Sequence, residues 1–381
     1  MIFFLHIPKT GGQTLATRIA SAFPPGRCSV MQADILDAGD LARLSADHDF
    51  FEGHLARGTL SDPPPGLRVM TVVREPVEQI ISHYRHILRE PGNPLSRLAA
   101  AMPPTAFLER FAGEMLNFQA QCLVGAMRPP ELADHARGLD LWLVRHLEES
   151  LSRLDWVVPC EKLDEFCLLW AFEQGRRLAQ QELRINASEP DKVDAGALRR
   201  WLRDRPELFA VDSLLWSAAR RRYEAWREAL VGLDRDTGEP APGALAWRSD
   251  DGAAAVWLLR NWHPPVAREG WQEWAAGPGT FSAIKLRRGG RALLRFEAMA
   301  FFGVRWQQVR LLRQADMAEI ALARSMDGES HVASYEADLG GLGDDETLLL
   351  HGAEDVNVLP ANPAALNRPR RAFATRNWRL D

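Results

Sequence analysis

The opening residues constrain the fold most tightly. Phe3, Phe4 and Leu5 read as a short buried strand, and the chain runs from them straight into His6-Ile7-Pro8-Lys9-Thr10-Gly11-Gly12-Gln13-Thr14. Pro8 has no N–H to continue a ladder, and Gly11 and Gly12 let the backbone turn tightly with its amides exposed. Thr14 to Ala20 then starts a helix. A glycine turn feeding a helix N-terminus gathers several N–H donors and the positive end of the macrodipole at one point, which suits a phosphate. The alternative is a plain strand-to-helix turn with Lys9 solvated.

Lys9 precedes the glycines, whereas the common nucleoside-triphosphate loop places its Lys after the last Gly and follows it with a metal-binding Ser or Thr. A second segment supports an anion site. Leu67 to Val73 is an apolar run broken only at Arg68, as expected for a parallel strand covered on both faces. It ends in Arg74-Glu75-Pro76, and Pro76 suits the first turn of a helix through Leu88. Val77, Ile80, Ile81, Tyr84 and Leu88 recur at helical spacing as its buried face. Arg74 at the carboxyl end of the strand and Ser82 along the helix can both reach a ligand above the sheet, where open α/β sheets bind theirs. Taken singly, Arg74 could be a surface cap and Ser82 a polar helix position.

The Lys-first glycine loop resembles the 5′-phosphosulfate loop of sulfotransferases that use 3′-phosphoadenosine 5′-phosphosulfate (PAPS). His-Ile-Pro-Lys-Thr-Gly-Gly looks like the carbohydrate branch of that superfamily, which includes the heparan sulfate 2-O-sulfotransferases. Arg-Glu-Pro-Val followed by Ser-His-Tyr resembles the 3′-phosphate site of the same enzymes. The resemblance spans residues ~1–230 and implies the P-loop-type sulfotransferase fold, an α/β class with a parallel sheet and helices on both faces. It implies PAPS as co-substrate and PAP as product, held by Lys9, Thr10, Gly11, Gly12, Gln13, Thr14, Arg74 and Ser82, with no metal.

Between the two motifs, Asp49 to Leu55 reads as a strand ending in Gly53-His54. Family members carry a similar Gly-His whose His is taken to deprotonate the sugar hydroxyl, so the resemblance makes His54 the catalytic base and Lys9 the group that meets charge on the leaving nucleotide. Imidazole is suited to proton transfer near neutral pH, although a single His on a strand is more often a packed residue. The heparan sulfate relatives have a second His where this chain has Glu52. Leu116 to Gln121 resembles the Asn-x-Gln-Thr-Arg segment near the acceptor, which marks Asn117 and Gln119 with Glu52 as candidate substrate contacts; Ala120-Gln121 departs from Thr-Arg. Asp155 to Glu165 resembles a strand and turn beside the nucleotide, or is a polar connection. Leu183 to Ser188 matches a late Leu-Asn-x-Ser segment.

Asp212 is expected to N-cap a helix from Ser213 to Leu230 with a stripe of Leu215, Ala219, Tyr223, Trp226 and Leu230. Arg220-Arg221-Arg222 on that helix is read as a solvated face, with attraction of an acidic glycan as the alternative. Cys28, Cys122, Cys160 and Cys167 lack metal-ligand spacing and are expected as buried thiols.

The 381 residues are enough for two or three domains. A net charge of −5 argues against general nucleic-acid binding, and no apolar run reaches membrane-spanning length. With neither a leader nor an anchor, the expectation is a cytoplasmic, bacterial protein. Residues 1–232 are assigned to the sulfotransferase domain, 233–245 to a linker rich in Pro, Gly and Asp, and 246–381 to an accessory domain. In that last part, 253–259, 281–286, 292–301, 307–312, 319–323, 332–336 and 347–350 read as short strands of an all-β sandwich or jelly roll. Its layout, with Gly270 to Trp274 early and 363–378 last, loosely resembles β-sandwich modules of bacterial glycan-assembly enzymes.

Seven of the thirteen Trp lie there: Trp247, Trp257, Trp262, Trp271, Trp274, Trp306 and Trp378. They are read chiefly as core, with sugar stacking as the alternative. Arg368, Arg370, Arg371, Arg376 and Arg379 make the tail basic, able to hold an acidic polysaccharide or to remain solvated. Two functions of different class follow: a PAPS-dependent sulfotransferase acting on a hydroxyl of a glycan or glycoconjugate, or a catalytically inactive relative serving as a glycan-binding scaffold. A nucleotide kinase is more distant, because Pro8-Lys9-Thr10 replaces the Walker arrangement.

Overall fold

The computed structural model describes residues 1–30, 35–56, 58–127, 136–174, 176, 178, 194–233, 240–241, 247–250, 252–259, 262–263, 273–275, 281–300, 309–326, 332–352 and 373–381. The chain divides into two compact units, Met1–Leu163 with Ala179–Glu224, and Asp164–Leu178 with Ala225–Asp381.

The first unit is built on a parallel sheet of β1 (Ile2–Leu5), β2 (Cys28–Ser29), β3 (Ile35–Leu36), β4 (Phe50–Leu55), β5 (Arg68–Val73) and β6 (Trp156–Pro159). Their order is β2-β4-β1-β5-β6, with β3 paired to β4. All four residues of β1 are buried because strands flank it on both edges and helices cover both faces. On one face Phe3, Leu5, Phe51, Val69 and Val73 pack with α2 (Ala38–Asp47), α7 (Phe118–Met127), α8 (Ala136–Ser152) and the start of α11 (Ala210–Val231). The other face carries Phe4, against which α1 (Gly12–Ala20) starts at a glycine.

Parallel register pairs Phe4 with Glu52 and with Met70. Side chains alternate along a strand, so Phe4, His6, Glu52 and His54 share the α1 face. The arginine that opens β5 is anchored from β6's side of the sheet: Arg68 lies 3.8 Å over the ring of Trp156, and its Nε donates to Asp155 at 3.0 Å.

β5 leads into α3 (Pro76–Arg89), where Pro76 occupies the first turn and the Glu75 carboxylate accepts from the Glu78 N–H at 2.8 Å. Its face of Val77, Ile80, Ile81, Tyr84 and Ile87 packs against α4 (Ser96–Ala101), α5 (Pro104–Arg110), α6 (Ala112–Met115) and α10 (Ala195–Arg203). The expected Leu88 lies beside this cluster, partly buried, and Ile87 takes the central place. The late Leu-Asn-x-Ser segment at 183–188 lies outside the described residues.

The second unit contains α9 (Leu163–Glu173) apart from its first residue, and two antiparallel sheets. The first sheet is built of β7 (Trp247–Asp250), β8 (Ala255–Leu258), β11 (Phe281–Arg287), β13 (Val309–Arg313), β14 (Glu319–Ile320) and β17 (Asp345–Gly352). The second holds β9 (Trp262–His263), β10 (Glu273–Ala275), β12 (Leu293–Ala300), β15 (Leu322–Met326), β16 (Ala333–Asp338) and β18 (Phe373–Leu380). Their orders are β14-β13-β17-β11-β8-β7 and β15-β16-β12-β18-β10-β9. Val256, Ile284, Leu311 and Leu348 from one sheet share a core with Leu294, Phe296, Tyr335 and Trp378 from the other, which makes a sandwich. Leu169 and Val231 pack with Trp257, Phe281 and Leu349 in a further cluster of this unit. Most of the composition-based linker at 233–245 lies outside the described residues.

Trp257, Trp262 and Trp378 are buried and belong to these cores. The Trp262 Nε1–H donates to the Ala283 carbonyl at 2.9 Å and that of Trp378 to the Thr375 hydroxyl at 3.0 Å, so neither presents a ring for a sugar. Trp271 and Trp306 lie outside the described residues, as do Arg368, Arg370 and Arg371. Arg376 pairs with Glu297 at 2.6 Å, and Arg379 with Asp381 at 3.1 Å. A polar cleft of about 390 Å³ opens on the β12-β15-β16 part of the second sheet, lined by Arg295, Glu297, Arg324, Ser334 and Glu336 among others. Among the described residues no helix is long and apolar enough to cross a membrane.

Candidate functional site

The loop after β1 is shaped by two left-handed residues, Lys9 at φ 68° and Gly11 at φ 89°, on either side of a fully buried Thr10. The Thr10 hydroxyl donates to the Ile7 carbonyl at 2.8 Å and closes the loop from inside, leaving its backbone N–H as its potential contribution to an anion. Two side chains brace the loop from α3 and the strand before it. The Gln79 amide donates to the Pro8 carbonyl at 3.3 Å, and the Arg74 guanidinium to the Lys9 carbonyl at 3.3 Å.

Gly11 stands at the N-cap of α1, where no side chain caps the first-turn amides. A Cβ on Gly12 would come within 2.7 Å of His6 Cδ2 and 2.8 Å of Phe4 Cζ, so that position admits only glycine without rearrangement. A Cβ on Gly11 would stand 3.1 Å from the Cys160 Sγ, at the end of β6. Gln13 and Thr14 occupy the first turn of α1, both half-buried.

His54 sits next to this loop because β4 lies beside β1. Its Nδ1 is 2.8 Å from the His6 carbonyl oxygen. A carbonyl can only accept, so Nδ1 carries the proton and the neutral ring keeps its lone pair on Nε2. The ring stacks on that of His6 with centroids 4.9 Å apart and planes 24° apart, and His6 stacks in turn with Phe4 at 5.6 Å. Glu52, two residues before His54 on the same face, is 1% exposed, with Oε2 3.9 Å from His6 Nδ1. Burial first, then His54 and Lys9, push the His6 pKa down to about 4, so its ring is neutral at physiological pH.

No family model and no curated protein matches the sequence. Two of the solved structures to which the chain is similar are sulfotransferases. The mouse sulfotransferase SULT7A1 complexed with PAP is 14% identical over 52% of this chain and 62% of that one, with a TM-score of 0.29; this chain thus spans less than two thirds of its length. The sulfotransferase from Alicyclobacillus acidocaldarius is 17% identical over 59% of this chain and 98% of that one, with a TM-score of 0.31.

Cations dominate the loop's surroundings. Burial lowers the Lys9 pKa first, and the guanidinium groups of Arg89 and Arg74 lower it further. His83 is held down to about 4 by burial, then by His86 and Lys9, and His86 is lowered by burial and Lys9 with only Glu90 acting the other way. Cationic groups close enough to lower the Lys9 pKa mark a place where an added anion is stabilised. Glu78, in the first turn of α3, is held by Arg199, whose Nη2 donates to it at 2.9 Å. Ser82 is half-buried on α3, between the loop-bracing Gln79 on one side and His86 and Arg89 on the other.

Gln119 and Asn117 are engaged in the frame of the site. Gln119 accepts from the Arg74 N–H at 2.8 Å and donates to the Arg74 carbonyl at 2.9 Å, a two-point clamp on the residue that braces the loop. The Asn117 side-chain oxygen accepts from the backbone N–H groups of Val211 and Asp212 at 3.0 and 3.1 Å. Asp212 does not cap its own helix as expected: α11 begins at Ala210, and the Asp212 carboxylate accepts from Ala120 at 2.8 Å and Gln119 at 3.3 Å, at the start of α7.

The structure thus brings together Lys9, Gly11, Gly12, Arg74, His54 and Glu52 around one loop. His6, His86 and Arg89 join them as residues not singled out from sequence. His6 was visible only as a letter of the loop motif; its contact with His54 depends on the β1-β4 adjacency. His86 and Arg89 lie one and two turns beyond Ser82, on a helix whose rotation about the loop no local pattern fixes. Arg222 donates to the Leu154 carbonyl at 3.0 Å and Arg220 covers the Trp216 ring, while Arg221 is exposed. Among the described residues no three His, Cys, Asp or Glu side chains gather as a metal site, and the four cysteines are free thiols, only Cys167 fully buried.

Proposed function

We propose that the first unit transfers a sulfuryl group from PAPS to a hydroxyl of a glycan or glycoconjugate. The observation that carries this reading is the pairing of an anion loop with a histidine whose tautomer is already fixed for proton uptake. The fit to a phosphosulfate rests on the glycine cradle that a Cβ would fill, the uncapped first turn of α1, and Lys9, whose pKa is lowered by burial and by the neighbouring guanidinium groups of Arg89 and Arg74.

When bound, PAPS supplies the sulfuryl group and a nucleotide phosphate as leaving group. His54 Nε2 takes the proton of the acceptor hydroxyl as that oxygen bonds to sulfur. The bond from sulfur to the bridging phosphate oxygen breaks, and Lys9 with the amides of Gly11, Gly12 and Gln13 meets the charge that builds there. Arg74 and Ser82 hold the 3′-phosphate. Glu52 lies buried beside His6, with Oε2 3.9 Å from His6 Nδ1, on the same strand face as His54. Residues around the loop need no metal for these steps.

Calorimetric titration with PAP, using AMP and ATP with magnesium as controls, tests the reading. Binding that requires the 3′-phosphate is expected; no binding, or preference for ATP with magnesium, overturns it. PAP binding without transfer from PAPS to any of a panel of neutral and acidic polysaccharides would favour the glycan-binding scaffold.

A further inference from the structure

The second histidine of the site is not a bystander. His6 follows β1 directly, and its N–H continues the ladder by donating to the Gly53 carbonyl at 3.1 Å, which fixes its backbone against β4. Its carbonyl holds His54 Nδ1 at 2.8 Å. Its ring edge lies against Gly12, the first residue of α1, where an added Cβ would meet Cδ2 at 2.7 Å and Nε2 at 2.9 Å. One residue therefore touches both the anion loop's helix and the base.

We propose that His6 is a positioning residue: its ring, stacked on His54 and seated on Gly12, keeps the His54 ring plane and its free Nε2 at one distance from the anion loop. This rests on the reading of the site as a sulfuryl-transfer centre with His54 as base. A proton relay through the His6 ring does not fit, because His54 Nδ1 is directed to the backbone carbonyl and not to a ring nitrogen. The opposite edge of His6 faces Glu52 Oε2 at 3.9 Å, an ion-dipole contact that a phenyl ring would lose while keeping the stack. Stacking and charge contact can thus be separated by substitution.

The test compares His6→Ala, His6→Leu and His6→Phe with the wild type in two readouts. Long-range proton–nitrogen NMR of His54, with no ligand added, reports its tautomer. The wild type and His6→Phe are expected to show the single Nδ1–H form; His6→Ala and His6→Leu, which fill or empty the space without a ring, are expected to show both tautomers as the ring turns. In turnover, misplacement of this order lowers kcat by ~10²-fold in His6→Ala and His6→Leu with PAP affinity within about twofold, whereas His6→Phe stays close to wild type. A single Nδ1–H tautomer in His6→Ala or His6→Leu overturns the positioning role whatever the activity. A wild type that fails to bind PAP overturns the functional reading instead, and the tautomer spectra still decide for or against His6. Leu serves as the second variant should the Ala protein fail to fold.

Discussion

Asn117 and Asp212 cap each other's helices. The Asn117 side chain accepts from the N–H groups of Val211 and Asp212 at 3.0 and 3.1 Å, while the Asp212 carboxylate accepts from Ala120 and Gln119 at 2.8 and 3.3 Å. Asn117 reaches this geometry from φ 52°, a left-handed backbone that Asn tolerates better than most residues. Both side chains are buried, so truncation strands backbone donors away from water. Asn117→Ala and Asp212→Ala are each expected to cost about 1–3 kcal/mol, and the double variant less than the sum, because the caps share one junction. Urea denaturation of the four proteins checks this; additive losses would mean the two caps act independently.

The same junction carries Gln119, whose side chain brackets the backbone of Arg74. Arg74→Ala is expected to weaken PAP binding by about 1.5–3 kcal/mol, the range for hydrogen bonds to charged groups. Gln119→Ala leaves the Arg74 side chain in place but removes the clamp on its backbone, so it is expected to weaken binding by a smaller amount. Adding Gln119→Ala to Arg74→Ala should change little further. Calorimetry on the double-mutant cycle decides: equal effects of Gln119→Ala with and without Arg74 would show that Gln119 acts elsewhere.

His54→Ala tests the base directly. PAP affinity should stay near wild type, since the His54 ring bonds the His6 carbonyl and not the loop amides. Turnover with PAPS should fall by ~10²–10⁴-fold, the usual contribution of a positioned general base. Near-normal turnover would remove His54 from the mechanism.

Much of this site is legible in the sequence because its parts are local. The Pro8-to-Gly12 turn, the apolar run of β5 and the Pro76 start of α3 each specify their own backbone, and the observed elements fall within a few residues of those readings. Several strands of the second unit were legible from alternation, as in β16, where Ala333, Tyr335 and Ala337 face the core, whereas β7, β9, β10 and β18 were not read as strands. What was not legible depends on partners far along the chain. Asp212 looks like a local N-cap, since Asp precedes a helical stripe, yet its acceptor capacity goes to amides 92 and 93 residues away. Asn117 and Gln119 fit a substrate segment by pattern, and only the fold shows their side chains turned to the frame. The apposition of His6 and His54 required knowing that β1 and β4 are neighbours, which strand propensity does not tell.

Buried histidines set the acid limit of stability. His6, His83 and His351 are each lowered from 6.5 to about 4, chiefly by burial. Between these values the unfolded chain binds a proton that the folded chain refuses, so stability rises with pH through this window and is lost as pH falls from 6.5 toward 4. Asp212 works oppositely. Burial raises it from 3.8 to about 6, so the folded state holds a proton there that the unfolded state has released, and its share is lost as pH rises through about 6. In the first unit two histidines outweigh one aspartate, and in the second His351 has no such counterweight among the shifts to about 4 or 6. His351 lies on β17 with Arg310 and Glu319 as its charged neighbours, the first lowering and the second raising its pKa. Replacing it by Leu removes a group whose shift is worth up to about 3 kcal/mol at low pH. Urea midpoints measured from pH 7 to pH 4 should therefore fall steeply for the wild type and less steeply for His351→Leu in the transition of the second unit. Parallel curves for the two proteins would mean that His351 takes up its proton without cost, and that the sandwich opens to water around it before it unfolds.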